Sequence, residues 1–111
     1  MSKNEQQAAI AQLLEDSVRN HQPDATFRWK PMFGGAGYYV NDVIFAANYA
    51  DERVSLKLPE ADREALMTMG ETSPKSKQYI TIPDADVQDP DKLAAWVAKS
   101  MVHVANNKKI A

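Results

Sequence analysis

Residues 30–46 read KPMFGGAGYYVNDVIFA, and three of the chain's four glycines fall inside this run. Glycine gathered like this serves either a phosphate cradle or the turning of a sheet. Spacing separates the two. A P-loop needs G-x-x-x-x-G-K-[ST] between a strand and a helix. Gly34, Gly35 and Gly37 stand too close together for that, and no Lys-Ser or Lys-Thr follows. A dinucleotide fingerprint fails as well, because the third glycine position is Val40 and the next segment reads as a strand. The three glycines are therefore expected to form a corner. They would swing a Phe27–Phe33 strand into a Tyr38–Ala46 hairpin, using glycine's freedom at positive φ, in a bulge or in close backbone contact.

The flanking sequence supports a sheet. In TFRWKPMF, Phe27 and Trp29 point one way and Arg28 and Lys30 the other. Pro31 has no N–H for a ladder, which places this strand at an edge or ends it. GYYV and VIFAANYA follow as strands around Asn41-Asp42, two residues that tolerate the left-handed conformation of a tight turn. Asp51-Glu52 is a second turn into RVSLKL, where Val54, Leu56 and Leu58 alternate with Arg53, Ser55 and Lys57. QYITIP adds a further strand, closed by Pro83.

Helices bracket these strands. Ser2 and Glu5 have the spacing of a capping box, and Ile10, Leu13, Leu14, Ser17 and Val18 form one stripe ahead of Pro23. PEADREALMTMG reads as a short helix with acids early and Gly70 as its stop. Asp89 and Pro90 open a last helix whose stripe is Leu93, Trp96, Val97, Ser100, Met101 and Val104. The predicted class is α+β, in the order α-β-β-β-β-α-β-α. Its terminal helices cover one face of a mostly antiparallel sheet of four to five strands, leaving the other face at least partly free. The whole chain, 1–111, is expected to be one domain, with an ordered core over 3–105 and a tail over 106–111.

Composition narrows the chemistry. The 111 residues include no cysteine, which removes disulfides, thiol chemistry and Cys-ligated zinc. The net charge of −2 argues against a dedicated nucleic-acid binder. The N-terminal segment lacks the apolar core and cleavage site of a signal peptide. No apolar run reaches the roughly 18 residues of a membrane span, so a cytoplasmic location without membrane contact is expected. Asp84, Asp86, Asp89 and Asp91 miss the calcium-loop pattern, having Asp89 and Ala95 where Gly and Glu are required. They read instead as loop and capping acids. Neither His21 nor His103 sits in a metal or catalytic motif, so no catalytic, cofactor or metal residues are predicted.

One constellation stands out. Alternation places Arg28, Lys30, Tyr39, Arg53, Lys57 and Tyr79 on the face away from the helices. Cations with aromatics on a sheet suit a partner surface, and also the way some domains hold single-stranded nucleic acid. A solvated face with charges that blunt edge pairing needs the same pattern.

KPMFGGAGYYVNDVIFA also resembles the N-terminal domain of the TfoX/Sxy competence regulators, through Met32, Phe33, Gly34, Gly35, Gly37, Tyr38, Tyr39, Phe45 and Ala46. VSLKLPEADREAL, QYITIPD with Tyr79 and Pro83, and DPDKLAAWVAKSM with Asp89, Leu93 and Trp96 continue the resemblance in order. The loop ETSPKSK is shorter than in many relatives, and Ile80 replaces a second tyrosine. The resemblance implies a secretion-chaperone-like α+β domain in a stand-alone, single-domain member. It implies a bacterial, cytoplasmic, non-enzymatic role without cofactor. In two-domain relatives that role is regulation of DNA-uptake genes. The expected partner is another protein or a second copy of the chain. The alternatives are nucleic acid on the basic sheet face, or a small molecule near the glycine run and the Lys75–Lys77 loop.

Overall fold

The computed structural model describes residues 3–32, 35–48, 53–72 and 78–108. Its elements are α1 (Lys3–His21), β1 (Phe27–Met32), β2 (Gly35–Val40), β3 (Val43–Asn48), β4 (Val54–Lys57), α2 (Glu60–Thr68), β5 (Tyr79–Thr81), α3 (Asp84–Val87) and α4 (Pro90–Lys108). The strands form one five-stranded sheet in sequence order, and all four pairings are antiparallel. The fold is α+β, as the patterning predicts.

Local chemistry explains several boundaries. Asn41 and Asp42 both adopt positive φ, 49° and 67°, which is the primed-turn geometry that matches strand twist. The Asn41 side chain also accepts the Thr26 N–H at 3.1 Å, tying the start of β1 to this turn. Gly70, at φ 97°, ends α2. Its N–H donates to Met67 C=O and that of Glu71 to Leu66 C=O, so carbonyls of the last turn are satisfied. Asp89 caps α4 by accepting the N–H groups of Asp91 and Lys92.

The core lies between the sheet and the helices. Leu14 and Val18 of α1, Leu66 of α2, and Leu93, Val97 and Met101 of α4 pack with Tyr38, Phe45, Leu56 and Ile80 of the strands. Ser100 stays buried in this layer by donating to Phe45 C=O at 3.0 Å. The Tyr38 hydroxyl donates to Asn48 Oδ1 at 2.6 Å, and among the described residues Asn48 Nδ2 has no partner. Burial pushes the Tyr38 phenol up from its ordinary pKa.

Several expectations need correction. Gly35 and Gly37 are not a corner. They lie inside β2, opposite Met32 and Lys30, and neither has positive φ. Phe33 and Gly34, the Asp51-Glu52 turn, Ser2 and the Lys75–Lys77 loop lie outside the described residues. Leu13, counted in the α1 stripe, is 41% exposed, and Ala11 is buried instead. The acidic stretch before α4 forms the short helix α3. α4 runs on to Lys108, into the segment expected as a tail. The sheet also carries a register shift between Tyr38 and Tyr39. It lets the neighbours Phe45 and Ala46 both join the helix-side core, which strict alternation forbids.

Candidate interaction face

Cross-strand register assembles the face opposite the helices. Arg28 of β1 pairs with Tyr39 of β2, and Lys30 with Gly37. Gly37 pairs with Ala47 of β3, Ala47 with Ser55 of β4, and Ser55 with Thr81 of β5. Lys57 of β4 pairs with Tyr79 of β5. Arg28, Lys30, Tyr39, Lys57 and Tyr79 therefore share the face that the alternation predicts.

This face has two unlike halves. On the β1–β2 side, Arg28 and Lys30 are exposed and both stand over the half-buried Tyr39 ring. The guanidinium carbon lies 4.9 Å from the ring centroid and the lysine Nζ 5.4 Å. Cations at that distance are held by the ring's negative face. Arg28 Nε also approaches Asp42 Oδ1 at 3.3 Å, but both side chains are largely exposed, so this pair holds the arginine weakly.

The β4–β5 side is closed. Ala47, Ser55 and Thr81 are buried, and Tyr79 is only 6% exposed. Tyr79 thus keeps its predicted face but is not an open aromatic. Lys57 Nζ sits 5.6 Å from its ring centroid, and desolvation lowers the Lys57 pKa from its ordinary value. Arg53 departs further from expectation. Its Nη2 meets Glu71 Oε2 at 2.8 Å and its Nε meets Asp84 Oδ1 at 3.6 Å. Two carboxylates neutralise a residue that alternation alone counts as a surface cation.

The other predicted motif residues divide in the same way. Gly35, Gly37 and Phe45 are buried, with Phe45 in the helix-side core. Pro83 is the residue from which α3 starts. Met32 ends β1. The acids that miss the calcium-loop pattern are used structurally. Asp84 pairs with Arg53, Asp86 accepts the Trp96 indole N–H at 2.8 Å, and Asp89 caps α4. Among the described residues no group of three or more His, Cys, Asp or Glu side chains can hold a metal ion. Among the described residues no helix is long and apolar enough to cross a membrane.

The helix side carries a shallow groove of about 280 Å³ where the ends of α1 and α4 meet the β2–β3 turn, lined by Val40, Val43, Met101 and Val104. Its polar neighbour Asn41 already spends its side-chain oxygen on Thr26. Sequence reasoning missed Asp42, Glu71 and Asp84 as the partners that decide which cations stay available. Only Asp42 carried a signal, since it sits in the turn beside β1.

A helix-flanked antiparallel meander with one exposed cation–tyrosine cluster defines a class of α+β domain built around a surface, with its largest side chains committed to the core. The TfoX N-terminal domain model matches residues 22–104, and the chain belongs to that family. No curated protein matches the chain.

Proposed function

We propose that this chain is a non-catalytic regulatory domain that binds another protein in the cytoplasm, as a counterpart of the domain found in competence regulators. The observation that supports this reading most is the Arg28–Lys30–Tyr39 cluster. Its two cations are exposed, it lies on the face opposite the helices, and it forms on two adjacent strands whose register is fixed by their ladder. A rigid platform holding cations against an aromatic ring suits a protein surface, where Arg and Tyr commonly carry most of the binding energy. The nucleic-acid reading loses ground because Arg53 is neutralised and Lys57 stands against the buried Tyr79.

Affinity capture from lysate of the source cell, followed by reconstitution with the purified captured protein, tests the reading. Wild type is expected to form a stoichiometric complex that Tyr39→Ala weakens at least tenfold. The reading fails if the variant binds as well as wild type. It also fails if a metabolite screen raises the melting temperature while no protein is retained, or if labelled single-stranded DNA or RNA binds with a steep salt dependence instead.

A further inference from the structure

The two flanks of β1 are not equivalent. Thr26 C=O accepts the Asn41 N–H at 3.0 Å, so Thr26 and Asn41 form a hydrogen-bonded pair. Alternation along an antiparallel ladder then points the main-chain groups of Arg28 and Lys30 toward β2. The main-chain groups of Phe27 and Trp29 point away, into the open edge, together with the Pro31 C=O. Pro31, which has no N–H, falls in the outward phase where none is owed to β2. Among the described residues no hydrogen bond reaches the outward groups of Phe27 or Trp29. β1 is the terminal strand of the sheet.

Side chains give this edge a chemical preference. Arg28 and Lys30 flank it on one face, while the half-buried Phe27 and Trp29 flank it on the other and pack against the core. A second copy adding its own β1 antiparallel would set Arg28 and Lys30 against their own kind, and like charges opposite one another oppose pairing. An acidic strand meets the reverse situation.

We infer that the open edge of β1 takes an extended segment of the partner protein as an added strand, with acidic residues alternating with apolar ones. This rests on the protein-interaction reading and names the partner's chemistry. The acidic residues lie beside Arg28 and Lys30. The apolar residues lie beside Phe27 and Trp29 and exchange main-chain hydrogen bonds with them. Main-chain bonds supply affinity in this mode and the alternating side chains supply selectivity.

The test uses the full chain, isotope-labelled for NMR, and three synthetic peptides. One alternates Glu and Val, one alternates Lys and Val, and one is the Glu–Val peptide N-methylated at its valines. The Glu–Val peptide is expected to slow amide exchange at Phe27 and Trp29 at least tenfold. The other two are expected to bind at least tenfold more weakly. A double variant, Arg28→Glu with Lys30→Glu, should reverse the preference between the Glu and Lys peptides. Equal binding of the N-methylated peptide overturns the inference, because charge alone would then suffice. So does Glu–Val binding that leaves the Phe27 and Trp29 amides unchanged. If the captured protein binds at Tyr39 without protecting those amides, the strand inference is wrong and the protein-binding reading stands.

Discussion

At the β5 edge of the sheet, the outward N–H of Thr81 donates to Thr72 C=O at 3.1 Å, so the chain answers its own edge. That strand is three residues long, all three are buried, and α2 packs against it. At the β1 edge the strand is six residues long and the outward groups of Phe27 and Trp29 make no hydrogen bond to the described chain. A short, self-paired strand and a longer one marked by two cations and a proline are two recognised ways to prevent unwanted sheet growth. The first spends an outward donor on the chain itself. The second blocks only a partner of like charge.

Breaking the β5 side should have the largest effect. Leu66, fully buried, anchors α2 in the core. Leu66→Ala is expected to cost about 2–5 kcal/mol in chemical denaturation. Amides of Ile80 and Thr81 should lose exchange protection before those of β2, and a uniform loss would show that α2 does not guard this edge selectively. Gly70→Ala comes next. Open space surrounds the position, so only its φ of 97° opposes a side chain. The expected cost is about 1–2 kcal/mol, read as a lower melting temperature with unchanged binding.

A smaller effect follows from His103, which α4 turns toward α2 and the end of β4. Burial first, then the charges of Arg63 and Lys57, lower its pKa below the ordinary 6.5, with Asp62 partly opposing them. The unfolded chain then binds this proton more readily than the folded one. The contribution is fully present above about pH 6.5 and is lost as pH falls through the depressed folded value. His103→Gln should flatten that part of the stability–pH curve, and an unchanged slope would remove His103 from the account. The smallest stability change belongs to the β1 side. Arg28→Glu with Lys30→Glu alters exposed groups and should shift stability by no more than about 0.5 kcal/mol. Calorimetry would check this, and a large loss would mean that the cluster braces the fold.

Much of the fold was legible because its signals are local. Asn41-Asp42, Gly70 and Asp89-Pro90 each act through their own backbone, so their turn, stop and cap read directly from the chain. The register shift beside Tyr39 was not legible. VIFAAN has no residue that announces a bulge, and the shift follows from fitting Phe45 and Ala46 into one core. The candidate site was half legible. Alternation found the shared face of Arg28, Lys30, Tyr39, Lys57 and Tyr79. It said nothing of Glu71 and Asp84, which reach Arg53 from distant parts of the chain.

The sequence by itself determined the order of the main helices and strands, the shared face of Arg28, Lys30, Tyr39, Lys57 and Tyr79, and the family, because periodicity and turn chemistry act over a few residues. Only the tertiary structure decided which cations are spent internally, that Tyr79 is buried, and that β5 is answered while β1 is open. Those outcomes depend on which distant groups come within hydrogen-bonding or ion-pairing reach, and no local pattern encodes that distance.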